Sequence, residues 1–449
     1  MGDAEKVRAS RDGDRFPYYW AARRALRLLD LTGDLEVVGV EGLPVGEEVE
    51  GEEVIDVAEY YGGHDAVTCT KFRYAQLKHS TMRTGELIVA SELKNTLVKF
   101  AGIYRGEMEK GREEKLEFVF VANRTLNDKV RLSLEEFAAG AGAFTHTSEA
   151  GLLRGYMGFG ADTEHEVDFC QRFKVDDGGP GIADIEQLLR GELQQFLPGG
   201  GTGTEMAQLM ETVSRCATSL VDKQTLVVGD ILVALRATEE ELFPARSAIE
   251  QLDYVIHTQD VDDVTAELRN GPNNKVLLTA VGGVGKSVLT SVLKRVLPEG
   301  SVTIVYDCFA GGDYRKVTSQ RHEHRIALTQ ISNELAAYGR CTPLIPAEAT
   351  DSFYTRVFMR RIHGAAEQLA RDSPEALLTV VIDAADNAAM AAEEQQRRTF
   401  VTDLFREDWP TNARLVQLCR PERKHLLNVP KAGVTEMSLV GFQKPESLE

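Results

Sequence analysis

Residues Leu277 to Ser287 read Leu-Leu-Thr-Ala-Val-Gly-Gly-Val-Gly-Lys-Ser, an apolar strand that runs into a glycine-rich turn and opens a helix at Gly-Lys-Ser. Few segments constrain a chain more. Gly282, Gly283 and Gly285, with Val284 between them, let successive backbone N–H groups point inward around phosphate oxygens. In that geometry Lys286 reaches the β and γ phosphates and Ser287 coordinates Mg2+, while the positive end of the helix dipole adds to the field. Val288, Leu289, Val292, Leu293, Val296 and Leu297 give the helix an apolar face for a sheet. Ala280 stands where the G-x-x-x-x-G-K-S pattern has its first glycine; alanine is small enough to keep the turn. The segment predicts a nucleoside triphosphate site in a parallel α/β sheet. It begins near residue 280, so a domain-sized stretch precedes it.

The surrounding pattern agrees with that sheet. Strands are predicted at 275–280, 302–307, 377–382 and 414–418. Helices lie between them, including Ser287–Leu297 and Arg325–Tyr338, and the alternation is that of an α/β fold. The buried-strand run Leu377 to Ile382 ends in Asp383, the form of a Walker B strand whose carboxylate holds magnesium. Asp386 is the candidate to polarise the attacking water. Asn387 stands where a second acid would speed hydrolysis, which points to a slow switch rather than a motor. A strand over Arg414–Leu418 ending in Cys419-Arg420-Pro421 would set Arg420 over the carboxyl edge of the sheet, where its guanidinium could read the γ-phosphate.

Composition limits the alternatives. The 449 residues suffice for two or three domains, and 43% hydrophobic with 27% charged residues is ordinary for a globular chain. There is no apolar run long enough for a membrane span and no apolar signal region at the N-terminus. The six cysteines form no Cys-x-x-Cys pair, so the chain reads as a reduced cytoplasmic protein without a zinc site. The net charge of −19 disfavours non-specific attraction to nucleic acid but leaves room for a local basic groove. The acid is uneven. Glu47 to Glu53 is strongly negative, whereas Lys94, Lys99, Arg105, Lys110, Arg112, Lys115, Arg124, Lys129 and Arg131 form a basic stretch that is either a solvated face or a DNA-facing one.

Three zones are predicted: residues 1–135 as a mixed α/β core, 136–250 as a mostly helical extension and linker, and 251–449 as the nucleotide-binding domain. The first zone reads helix (Tyr18–Leu29), strand (Leu35–Glu41), strand (Glu53–Ala58), strand (Ala66–Thr70, continuing to Lys78), helix (Leu87–Tyr104) and strand (Leu116–Val121). In the second zone, Asp176–Gly181 and Pro198–Thr204 are glycine-rich breaks, the latter a flexible loop.

Within the first zone, Glu41, Asp56 and Gln76-Leu77-Lys78 fall on three successive predicted strands. Gln76 and Lys78, two apart, share a face of their strand. A carboxylate on one strand and a [Glu/Asp/Gln]-x-Lys on the next meet the needs of metal-dependent phosphodiester hydrolysis. Asp56, Gln76 and Glu41 would hold the magnesium, and Lys78 would orient water or stabilise the pentavalent phosphate. A plain strand aspartate, a surface Lys78 and a solvated His79 are the non-catalytic alternative. His146 and His165 are isolated and are read as structural.

Two resemblances follow from these residues. Gly282–Ser287, then Val380-Val381-Ile382-Asp383-Ala384-Ala385-Asp386-Asn387, then Leu418-Cys419-Arg420-Pro421 resemble the STAND class of signal-transduction ATPases, especially its NACHT-like branch, over residues 245–441. Arg420 matches that class's sensor-1 arginine. Asp56, Gln76 and Lys78, behind an opening helix with Gly13-Asp14-Arg15-Phe16-Pro17-Tyr18-Tyr19-Trp20-Ala21-Ala22-Arg23-Arg24, resemble the PD-(D/E)xK nuclease superfamily in its Gln-x-Lys variant. The order of the two is similar to that in prokaryotic antiviral STAND proteins. The resemblance implies a restriction-endonuclease-like α/β domain, a helical middle segment and a P-loop NTPase with a parallel sheet. It further implies ATP and Mg2+ as cofactors, a phage protein as trigger, and a homo-oligomer, a tetramer, whose nuclease domains cut double-stranded DNA. The class continues into a winged-helix region and a repeat sensor, so the chain ending at Glu449 is read as a fragment. A non-catalytic signalling scaffold and a DNA-translocating ATPase with an attached nuclease are the rival readings.

Overall fold

The computed structural model describes residues 15–44, 50–199, 203–218, 224–249, 258–316 and 318–441. The side chain of Ser287, residues 47–49 of the acidic run and the centre of the Pro198–Thr204 loop lie outside the described residues. The chain forms two compact units, one of residues 1–194 with 201–236 and one of 195–200 with 237–449.

The first unit is built on a six-stranded sheet. Helix α1 (residues 15–25) leads into β1 (Leu35–Val40), β2 (Val57–Tyr61) and β3 (Lys71–Lys78); α2 (Lys94–Glu109) then crosses over to β4 (Leu116–Ala122). The predicted order of these elements is the observed one. β1, β2 and β3 pair antiparallel, and β4 joins β3 in parallel, as a helical crossover requires. One face carries Ala58, Tyr60, Phe72, Tyr74, Phe118 and Phe120 onto Leu97, Phe100, Ile103 and Tyr104 of α2. Phe100 stacks on Phe118 with ring centroids 4.5 Å apart. Each such fully buried aromatic contributes about 1.5–3 kcal/mol by removal from water.

The other face holds a buried ionic network. Glu59 has no exposed surface, and its carboxylate pairs with Arg24 of α1 and with its cross-strand neighbour Arg73, while the Tyr61 hydroxyl donates to it at 2.7 Å. Arg73 also pairs with Glu117 at 2.7 Å.

Three local expectations are corrected. Glu53–Ala58 is not a continuous strand: Glu52–Val54 is a 3-10 turn after Gly51, which sits at φ +95°, and β2 begins only at Val57. Ala66–Thr70 is a turn rather than a strand, because Asp65 Oδ1 accepts from the N–H groups of Val67 and Thr68 and holds an Asx turn. The segment after residue 136 is helical through α3 (Asp128–Ala138), α4 (Thr147–Met157), α5 (Thr163–Arg172), α6 (Ile182–Phe196), α7 (Gly203–Cys216) and α8 (Val228–Ala234). It also supplies both edge strands of the sheet, β5 (Phe173–Asp176) beside β4 and β6 (Thr225–Leu226) beside β1. At four and two residues they are too short for a period-2 signal.

The second unit starts with α9 (Glu239–Leu242) and α10 (Gln259–Asn270) and then forms an all-parallel sheet in the order β11-β7-β10-β9-β8. Its strands are β7 (Lys275–Thr279), β8 (Val302–Asp307), β9 (Leu378–Asp383), β10 (Ala413–Cys419) and β11 (Thr435–Ser438). The helices are α11 (Lys286–Val296), α12 (His324–Ala337), α13 (Asp351–Asp372), α14 (Ala385–Glu394) and α15 (Phe400–Leu404). α10 and α11 cover one face through Val261, Val264, Leu289 and Leu293. α12, α13 and α14 cover the other through Leu328, Phe358, Ile362 and Ala388. Such strands are buried on both faces and read as continuous apolar runs, which is why four of them were legible in the sequence. β11 was not, because only alternate residues of its four are half-buried. Among the described residues no helix is long and apolar enough to cross a membrane.

Candidate functional site

In the second unit, adjacent strands β7 and β10 send their chains in opposite directions along the sheet, β7 towards β8 and β10 past β7 to β11. Ligands of open α/β sheets bind at such a switch, outside the carboxyl ends of the strands. The glycine loop sits there. Gly283 and Gly285 take φ of +84° and +96°, where a side chain is strained, and a Cβ on Gly282 or Gly283 would meet nothing within 4 Å, so the inside of the turn is open. Ala280 is buried, donates its N–H to the Cys419 carbonyl at 3.1 Å and is not among the positive-φ residues. Alanine therefore costs the turn nothing.

Lys286 Nζ donates to the carbonyl oxygens of Ala280 and Val281, each at 2.9 Å. Burial pulls its pKa down; Asp383 and Asp386 oppose that, and Arg420 adds to it. The residues that sequence spacing placed at the site are thus brought within electrostatic reach of one ammonium. Asp383 ends β9, and Ala384, in the left-handed region at φ +54°, turns the chain into α14. A Cβ-bearing residue there costs about 1–2 kcal/mol, and the turn sets Asp386 in the first turn of the helix. Arg420 is exposed, directly after β10, and its guanidinium makes no ion pair among the described residues.

Two contributions were missed by sequence reasoning. Arg423 Nη1 donates to Asp386 Oδ2 at 3.3 Å and to Asn387 Oδ1 at 3.2 Å. Burial pushes the Asp386 carboxyl above its ordinary range, against the opposing effect of Arg423. The Arg420-Pro421-Glu422-Arg423 spacing was a signal, since both arginines flank one short turn. The second is a small cleft beside the loop, lined by Thr258, Val261, Val284, Val288, Leu439 and Gly441. Asp260 fastens its far wall by accepting the N–H groups of Val440 and Gly441 at 3.0 and 2.8 Å. Gly441 sits at φ +77°, and a Cβ there would come within 2.9 Å of Val284 Cγ1.

In the first unit, Asp56 precedes β2 rather than lying in it, and Glu41 follows β1. Both are drawn to one place all the same. The Asp56 N–H donates to Ala75 O, the Glu41 N–H donates to Asp56 O, and the Leu77 N–H donates to Asp56 Oδ2 at 2.6 Å. The β2–β3 ladder pairs Val57 with Ala75; continued by one residue it sets Asp56 opposite Gln76. Burial raises the Asp56 pKa to about 6, the Leu77 N–H and the Lys78 charge pull against it, and Glu41 pushes with it. Asp56, Glu41 and Lys78 are therefore electrostatic neighbours. Glu41 takes φ +49°, a second left-handed position occupied by a residue other than glycine.

Gln76 is buried, and its Oε1 accepts from the Thr96 hydroxyl on α2. Among the described residues no three His, Cys, Asp or Glu side chains gather as a metal cage. The donor set nonetheless fits magnesium, which is held by one or two carboxylates together with water and substrate phosphates. Asp56 and Glu41 would be those carboxylates, with the Gln76 amide oxygen beside them. His79 is half-buried, and its ring stacks on Phe16 of α1 with centroids 4.6 Å apart.

The basic stretch is largely spent on internal pairs. Lys99 pairs with Glu53, Lys110 and Arg112 with buried Glu107, Arg124 with Glu92, and Arg131 with Asp177. Arg105 and Lys115 donate to the carbonyls of Met157 and Val67, and Lys94 lies over the Tyr156 ring. Asp162 caps α5 by accepting the His165 N–H, and its other oxygen lies 2.7 Å from His165 Nδ1. All six cysteines are free. Compared with protein-family models and with curated proteins, the chain matches none of them.

Proposed function

We propose that this chain is a nucleotide-gated, magnesium-dependent endonuclease of the kind used in antiphage defence, with ATP bound at the glycine loop of the second unit and double-stranded DNA cut by the first. The observation that carries the nuclease reading is the convergence of Asp56, Glu41 and Lys78 at the ends of β1 to β3. In this reading the first unit is a restriction-endonuclease-like domain. Leu77 fixes the rotation of the Asp56 carboxylate, and the Lys78 ammonium neutralises the phosphate that approaches it. A bound magnesium ion would supply the charge that stabilises the attacking and leaving oxygens.

ATP would displace the Ala280 and Val281 carbonyls from Lys286. Ser287 and Asp383 would hold its magnesium, Arg420 its γ-phosphate, and the cleft by Val261 and Val288 its base. With Asn387 in place of a second acid, ATP acts as a switch. ATP-bound subunits would assemble, as a tetramer by family resemblance, on sensing a phage protein, and so pair their nuclease units.

The test is incubation of the purified chain with plasmid DNA, magnesium and ATP. Nicking or linearisation that is lost in Asp56→Ala and Lys78→Ala, with ATP binding intact, is the expected result. Cleavage at the parent rate in Lys78→Ala overturns the assignment.

A non-catalytic signalling scaffold is favoured by two observations, the engagement of Gln76 by Thr96 and the internal pairing of the basic stretch. It predicts ATP-dependent assembly with no DNA cleavage.

A further inference from the structure

A second cavity of the nucleotide-binding unit shares no residue with the glycine loop. It measures about 610 Å³ and lies between α13 and the segment that runs through α15. Arg356 and Arg360, one turn apart on α13, form one wall, and Arg406 forms the other. All three are exposed, and none makes an ion pair among the described residues; Arg356 only lies over the Phe353 ring. Buried Thr355 and Met359 are on the floor.

Two acids also line the cavity. Asp403 is already neutralised: both its oxygens accept from Arg398 Nη2 at 2.9 Å, and His324 Nε2 lies 3.0 Å from Oδ2. Glu407 remains against three unpaired arginines. An excess of positive charge within one concavity is out of keeping with a chain of net charge −19, and unpaired arginines facing each other repel unless an anion lies between them.

We infer that this cavity binds a small phosphorylated ligand of nucleotide size at a site separate from the glycine loop. Arginine, with its planar fork of donors, matches phosphate in a bidentate way that lysine does not, and no lysine lines the cavity. The volume lies in the range of small-molecule sites, roughly 300–1,000 Å³, which favours a free ligand over the continuous backbone of a duplex. Met359 offers an apolar surface to the rest of the ligand.

The probe is inorganic tripolyphosphate, titrated calorimetrically into the full chain carrying Lys286→Ala, which removes the glycine-loop lysine. One site per chain is expected. The double variant Arg356→Ala/Arg360→Ala in the same background should lower its affinity by at least about tenfold, since each charge-assisted contact is a strong one. Arg371→Ala, an exposed arginine near the other end of α13, should leave it unchanged. No binding, unaltered affinity in the double variant, or an equal loss in Arg371→Ala would overturn the inference. A parallel titration with a short duplex oligonucleotide tests the source of the phosphate. Weaker binding than tripolyphosphate supports a free ligand, and tighter binding that the double variant abolishes would reject it.

Discussion

The backbone N–H of Leu77 donates to Oδ2 of Asp56 at 2.6 Å, so the strand that carries Gln76 and Lys78 also orients the aspartate that leads into the neighbouring strand. One strand thereby fixes three members of the candidate site. The place has a thermodynamic cost that the Leu77 N–H only partly offsets, because burial raises the Asp56 pKa from 3.8 to about 6.

That cost has a sign that can be measured. A carboxyl whose folded pKa is raised is more protonated in the native state between the two values, so stability falls as pH rises from about 4 to 6 and stays reduced above that. Asp56→Asn keeps an acceptor for Leu77 and should stabilise the chain by about 1–3 kcal/mol near pH 8, with little gain near pH 4. Urea melts at both pH values check it. Magnesium should raise the melting temperature of the parent near pH 8 and not that of the variant.

Glu41 at φ +49° pits function against stability. Glu41→Gly should relieve about 1 kcal/mol of backbone strain while lowering magnesium affinity and any DNA cleavage. A variant that is both no more stable and fully active would remove Glu41 from the site.

At the glycine loop, Ala280 and its glycine neighbours should behave oppositely. Ala280→Gly adds freedom only to the unfolded chain and should cost about 0.4–1 kcal/mol with nucleotide affinity unchanged. Gly283→Ala forces a side chain into φ +84° and should weaken ATP binding. Lys286→Ala should abolish the thermal shift that saturating ATP gives the parent, about 2.7 kcal/mol at a hundredfold excess over Kd. Unchanged ATP affinity in Lys286→Ala would end the phosphate-loop reading.

Arg423 is the residue whose removal separates structure from nucleotide chemistry. Arg423→Ala leaves the Asp386 carboxylate, 2% exposed, without its cation and should destabilise by about 1–3 kcal/mol. Arg420→Ala, an exposed residue without an ion pair, should leave stability unchanged and weaken the response to ATP relative to ADP. Denaturant melts together with nucleotide titrations of the two variants distinguish them.

In the first unit, Glu59→Ala would take the carboxylate from Arg24 and leave Arg73 with Glu117 alone. It should cost about 2–3 kcal/mol, at the low end for a buried pair because both guanidiniums reach solvent. Circular-dichroism melts of Glu59→Ala and Glu59→Gln measure it.

What the sequence determined by itself was whatever is written within a few residues. The strand–turn–helix at Lys286, the apolar runs of β7 to β10 and the helix–strand order from α1 to β4 are of this kind, because glycine turns and periods of 2 and 3.6 are local properties of a chain. Spacing was also enough to put Gln76 and Lys78 on one face and to nominate Asp383, Asp386 and Arg420. The tertiary structure alone decided which charges are free. The cations from Lys99 to Arg131 looked available for DNA, yet Glu53, Glu92, Glu107 and Asp177 take several of them. Arg356, Arg360 and Arg406 form no pattern in the sequence, yet they line one cavity without an ion pair among the described residues. The edge strands β5 and β6, the stacking of His79 on Phe16 and the wall that Leu439 and Gly441 add beside Val288 were decided there too. The physical reason is common to them. An ion pair, a stacked ring or a two-residue strand depends on the distance between segments remote in sequence, and that distance exists only once the sheets have formed.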